Sequence, residues 1–65
     1  MFDGAKLREL RENKNMNTED CSYELGISKT MLSFFERNMR NPKSDFVERA
    51  SKLFKVNIND LFNDD

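Results

Sequence analysis

Apolar residues in this chain recur at helical spacing in short runs, each broken by Asn, Gly, Ser or Pro, and no stretch shows the alternation of a half-buried strand. One local device appears four times: a capping residue preceded by an apolar residue and followed, four positions after the cap, by another. The sets are Phe2, Asp3 and Leu7; Met16, Asn17 and Cys21; Ile27, Ser28 and Leu32; and Val56, Asn57 and Leu61. Such a hydrophobic staple marks where a helix begins, and each cap contributes roughly 0.5–2 kcal/mol relative to alanine. Asp20 and Asp60 stand at the third helical position after their caps, placed to reach back to them and to suit the positive end of the helix dipole.

These starts predict a helix over about residues 4–14, with Leu7 and Leu10 inward; a second over 18–25, stopped at Gly26; and a third from 29 to about 37, ended by Asn38 as a left-handed terminator. A fourth has no staple. Phe46, Val47, Ala50, Leu53 and Phe54, recurring after Pro42 and Ser44, place it at about 44–54. A last short helix over 58–63 would close the core with Ile58, Leu61 and Phe62. The expected fold is all-α, a compact five-helix bundle.

Residues 16–37, MNTEDCSYELGISKTMLSFFER, organise the rest. Gly26 can enter the left-handed conformation that costs other residues ~1 kcal/mol or more. Cys21, Leu25, Ile27, Leu32 and Phe35 are spaced to meet in the angle between the second and third helices. Lys29, Thr30, Ser33, Phe34 and Arg37 then face outward, on a helix offered to something outside the protein. In a small helical domain this is the helix-turn-helix arrangement, here at about 18–37, that enters the DNA major groove.

Composition narrows the alternatives. Sixty-five residues make one domain at most, burying only ~60% of the surface the unfolded chain exposes, so a deep active site is not expected. A single cysteine and no histidine exclude an internal disulfide and leave no basis for a zinc site. Cys21 has no neighbouring base, and among Met16, Leu25 and Ile27 it is expected to be a small buried hydrophobe. No nucleophile stands with its base and no acid pair converges, so no catalysis, metal or cofactor is expected. No apolar run approaches the ~20 residues of a membrane span, and no apolar secretory core opens the chain, so it is expected in the cytoplasm. No second domain is expected that could sense a small-molecule effector.

Charge argues against a generic nucleic-acid binder, because the net charge is −1. Its distribution argues back. Up to Lys43 the chain has eight basic and seven acidic residues; from Ser44 onward it has three and five. Arg37, Arg40 and Lys43 form a basic run without an acid, immediately after the outward-facing helix.

From Leu7 to Phe62 the chain resembles the Cro/cI-type, or XRE, helix-turn-helix family of phage and bacterial repressors. Leu7 to Arg11 resembles the family's first helix, and Met16 to Gly26 its capped second helix ending in leucine-glycine. Ile27, Ser28, Leu32, Ser33, Phe35 and Glu36 fall on its third-helix pattern, Asn41-Pro42 on the dipeptide before its fourth helix, and Val56 to Phe62 on its closing segment. The resemblance implies a lambda-repressor-like domain over residues 1–65. It also implies a sequence-specific transcriptional regulator, expected to be a repressor, that binds double-stranded DNA as a homodimer. Lys29, Thr30, Ser33 and Phe34 would sit where family members read base edges. Asn17, Thr18, Arg37, Arg40, Asn41 and Lys43 would hold phosphates. Arg11 would pair with Glu36, tying the first helix to the third without touching DNA. Departures are Thr18 for the common glutamine, Ser22 for alanine, Arg37-Asn38 for asparagine-glycine, and Phe34 for a polar or basic side chain. For Phe34, a thymine methyl, a dimer partner and plain exposure all remain open. A second reading is a protein-interaction module, antirepressor- or antitoxin-like, on the same fold with little or no affinity for DNA.

Overall fold

Three of the four staple-marked starts carry the bond that defines an N-cap. Asp3 Oδ1 accepts from the Lys6 N–H at 3.1 Å, Asn17 Oδ1 from the Asp20 N–H at 2.7 Å, and Ser28 Oγ from the Met31 N–H at 3.1 Å. These begin α1 (Gly4–Asn13), α2 (Thr18–Leu25) and α3 (Lys29–Glu36). At the fourth start Asp60 reaches back as expected, its carboxylate accepting the Asn57 N–H at 3.3 Å, whereas at Asn17 only the forward half of the box is made. The unstapled helix, α4 (Ser44–Phe54), lies where its periodicity puts it and has no side-chain cap. The computed structural model describes residues 1–63; Asp64 and Asp65, the end of the expected 1–65 domain, lie outside the described residues.

Among the described residues, all four α-helices stop by the same device. Asn15, Gly26, Asn38 and Lys55 are left-handed, with φ of 58°, 71°, 57° and 56°. The next residue in each case donates its N–H five positions back: Met16 to the Arg11 carbonyl, Ile27 to Ser22, Met39 to Phe34 and Val56 to Ser51, at 2.8–3.1 Å. These bonds satisfy carbonyls that a helix end leaves orphaned. Lys55 is not anticipated from sequence, because nothing in a lysine favours this region. It is held there while Val56 turns back onto the core.

Phe2, Leu7, Cys21, Leu25, Leu32, Phe35, Phe46, Val47, Ala50 and Leu61 are buried in one cluster. The set expected between α2 and α3 is there, with Ile27 only half-buried. α3 packs on α1 and α2, and α2 on α4. The hydroxyl of Ser22, buried where the family has alanine, donates to the Glu19 carbonyl at 3.0 Å and so costs little.

The fifth helix is corrected. Residues Ile58–Leu61 make a single 3₁₀ turn rather than a helix to 63. Phe62 is already extended, because it pairs as an isolated antiparallel bridge with Phe2, and the Asp3 N–H donates to the Leu61 carbonyl at 2.8 Å. One turn cannot present a full apolar face, so Leu61 is buried while Ile58 and Phe62 are 41% and 43% exposed. Phe2, expected only as a staple residue, is core: its ring meets Phe62 and Phe46 edge-on, with centroids 6.0 and 6.5 Å apart.

Cys21 sits inside this core, and burial first, then the nearby Glu36 charge, pushes its thiol up to about 11, with Arg11 pulling the other way. The folded state therefore favours the protonated thiol, and stability from this group is lost as pH rises from the ordinary value toward the raised one. Native protein at pH 8 is expected to resist a thiol-alkylating reagent that labels it fully in denaturant. Equal labelling rates in the two states, read by mass spectrometry, would contradict this burial.

Candidate nucleic-acid interface

The αL turn at Gly26 and the Ser28 cap set the start of α3, and Leu32 and Phe35 anchor its inner side. Lys29 and Thr30 are exposed on the first turn; Ser33 and Phe34 are half-buried on the second. Arg37, expected as the last helical residue, is instead the C-cap of α3. Its Nε donates to the Ser33 carbonyl at 3.4 Å and its guanidinium carbon lies 5.9 Å from the centre of the Phe34 ring. The Phe34 ring is thus partly covered by its own neighbour, a cation–π contact that keeps the charge outward.

Arg40, Asn41 and Lys43, all exposed, follow in the connection to α4. They share a cleft of about 230 Å³ with Met31, Phe35, Pro42 and Phe46 among its walls. Asn17 and Thr18 are exposed at the start of α2. The Asn17 oxygen is committed to capping, which leaves its amide N–H groups as the donors it can offer. The structure thus brings the loop residues 40, 41 and 43 together beside α3.

Charge pairing separates these cations from many of the others. Lys6, Arg8, Arg11 and Arg49 each pair with a carboxylate, on Glu9, Glu12, Glu36 and Asp45. Among the described residues, Lys29, Arg37, Arg40 and Lys43 form no ion pair; nor do Lys14, Lys52 and Lys55 on other elements. Unpaired cations beside a bare helix face are what a polyanion meets at least desolvation cost.

The Arg11–Glu36 pair forms as the resemblance implies. Arg11 Nε and Nη2 donate to the two Glu36 carboxylate oxygens at 2.7 and 3.2 Å, and Nη1 donates to the Met16 carbonyl at 3.0 Å. The hydrogen bond to Glu36 raises the Arg11 pKa above its ordinary value against the opposing effect of burial.

Three further contacts escape sequence reasoning. Arg49 Nε donates to the Leu25 carbonyl at 3.1 Å, closing the end of α2 from α4. The Asn38 carboxamide bonds the Phe2 carbonyl and the Gly4 N–H. Gly4 lies against the end of α3 with no space for a side chain. A left-handed Asn38 was a legible signal; its side-chain partners had none.

A family profile described as "Helix-turn-helix domain" matches residues 4–64. The chain belongs to this helix-turn-helix family. It is of the Cro/cI, or XRE, type. Control protein C.BamHI of Bacillus amyloliquefaciens is 37% identical over 59 residues, covering 89% of this chain and 73% of that protein. The cryptic phage CTXphi transcriptional repressor RstR of Vibrio cholerae is 30% identical over 60 residues, 92% of this chain and 54% of the repressor. The helix-turn-helix domain thus spans about half the length of some of the curated relatives it matches. In three dimensions it resembles SinR, the master regulator for biofilm formation, in a crystal structure with DNA. The TM-score is 0.83 at 28% identity, covering 92% of this chain and 97% of that one.

Proposed function

We propose that this chain is a sequence-specific DNA-binding transcriptional regulator, a repressor, that inserts α3 into the major groove. The observation that carries the reading is the exposed first turn of α3, on a helix flanked by cations without an ion pair, Arg37 at its C-cap and Arg40 and Lys43 in the cleft alongside. Lys29 would donate to guanine O6 or N7, Thr30 and Ser33 to either base type, and Phe34 would make an apolar contact with a thymine methyl. Thr18, with the amide of Asn17, and Arg37, Arg40, Asn41 and Lys43 would hold phosphates on either side. The chain folds as one domain, acts in the cytoplasm by binding alone, and works without metal, cofactor or catalysis; no helix among the described residues is long and apolar enough to cross a membrane. The SinR complex and the repressor RstR support this reading.

A single helix of eight residues spans only a few base pairs. A homodimer on a two-fold site would double that, with α3 helices presented ~34 Å apart. Selection from a random duplex pool is expected to enrich a palindromic site. Failure to enrich any sequence, with no binding to random duplex even at low salt, would leave the protein-interaction reading instead. Sedimentation showing monomers both free and bound would refute the dimer.

Single substitutions Arg37→Ala, Arg40→Ala and Lys43→Ala are each expected to weaken binding across all sequences and to lower the slope of log affinity against log salt by about one. An unchanged slope would remove that residue from the phosphate contacts.

A further inference from the structure

Asn38 does two separate things. Its backbone, at φ 57°, ends α3, with the Asn38 N–H on the Phe35 carbonyl at 3.2 Å and the Met39 N–H on the Phe34 carbonyl at 2.8 Å. Glycine would do this at lower steric cost. The side chain does what glycine cannot. Oδ1 accepts the Gly4 N–H at 2.6 Å, and Nδ2 donates to the Phe2 carbonyl at 2.9 Å. The Gly4 N–H is the first of α1 and would otherwise be an orphan donor.

The residues it grips are themselves anchored. Phe2 is bridged to Phe62, the Asp3 N–H donates to Leu61, and the Asn63 N–H donates to the Met1 carbonyl at 2.9 Å. Residues 1–4 thus form a strap fixed along the far end of the chain, and Asn38 fastens the end of α3 to it. The Arg11–Glu36 pair fixes α3 to α1 two residues earlier. With Leu32 and Phe35 packed in the core, these two attachments hold the C-terminal end of the helix in place.

We propose that Asn38 is a positioning residue for base reading: by fastening α3 to the 1–4 strap it sets the angle at which Lys29, Thr30, Ser33 and Phe34 meet a duplex. The proposal rests on the DNA-binding reading above. α3 is eight residues, about 12 Å long, so a tilt of about 5° at its fastened end moves the first turn by about 1 Å. Hydrogen bonds to base edges do not survive such a shift, because productive geometry is held within about 0.5 Å. Long Arg and Lys side chains on phosphates follow it without loss. A loosened α3 therefore loses discrimination before it loses affinity.

The test uses a duplex selected by the wild-type chain from a random pool and a random duplex of equal length. Affinities for both are measured for wild type, Asn38→Gly and Asn38→Asp, at a temperature where circular dichroism shows each fully folded. Asn38→Gly keeps the left-handed backbone and loses both side-chain bonds. Its ratio of selected to random affinity is expected to fall about tenfold, ~1.4 kcal/mol, the size of one base contact, with random-duplex affinity and salt slope unchanged. Asn38→Asp turns an oxygen toward the Phe2 carbonyl and is expected to move the ratio the same way; it carries the test if the glycine variant does not fold. A ratio within about twofold of wild type in a folded variant would make Asn38 a helix terminator only. A wild-type chain that enriches no duplex would overturn the DNA-binding reading and the positioning role with it, so the wild-type arm tells the two failures apart.

Discussion

Cutting Arg11 back to alanine is expected to cost about 3–5 kcal/mol, because it leaves the Glu36 carboxylate, whose side chain is 8% exposed, buried without a partner and takes a donor from the Met16 carbonyl. Stability of roughly 0.05–0.15 kcal/mol per residue gives a chain of this length only about 3–10 kcal/mol in total. The variant should therefore be largely unfolded, or close to it, in urea titration followed by circular dichroism. Arg11→Lys should recover only part, since an ammonium cannot reproduce the two parallel bonds at 2.7 and 3.2 Å. Replacing both partners, Arg11→Met with Glu36→Leu, should recover most of the loss, because neither charge is left in the core. Arg11→Ala within about 1 kcal/mol of wild type would mean that solvent screens the pair as it screens a surface one.

Gly4→Ala is expected to be the other large loss, against what helix propensity says. Alanine in a helix is favoured over glycine by ~1 kcal/mol. A Cβ at Gly4, however, would overlap the Phe35 carbonyl oxygen and Asn38 Oδ1 and come within 2.7 Å of the Glu36 carbonyl oxygen. Two of these are backbone atoms and cannot step aside without moving the end of α3. The net cost should be about 3 kcal/mol or more. Gly26→Ala is the control. Its Cβ would meet nothing within 4 Å, so it carries only the left-handed penalty of ~1–2 kcal/mol. In thermal unfolding Gly4→Ala should fall further than Gly26→Ala; the reverse order would show that α1 can move away from α3 at little cost.

These two predictions differ in how visible their causes are before folding. The family resemblance implies the Arg11–Glu36 pair, and the structure holds the two together. In the sequence Gly4 is only the first residue of a helix. Among the interface residues, the exposure of Lys29, Thr30 and Arg37 followed from which α3 residues are apolar, since Leu32 and Phe35 at the core leave the opposite side outward. The partial cover of Phe34 by Arg37 did not, because it depends on rotamers rather than on position.

What the residues determine by themselves is local. Asp3, Asn17 and Ser28 specify three helix starts through bonds to an N–H three positions on, and Gly26 specifies a turn through its own φ; both act within one turn and so leave a readable mark. The end of the chain shows where that reach stops. Val56, Asn57 and Leu61 announce a helix, but pairing with Phe2 pulls Phe62 into an extended backbone and leaves one 3₁₀ turn. The tertiary structure alone decided this bridge, the Asn38 bonds, the Arg49 bond to Leu25 and the lack of space at Gly4. Each joins generic donors, acceptors or methylene-sized gaps across 24 or more residues, where no periodicity records the partner and only the packed chain brings the two together.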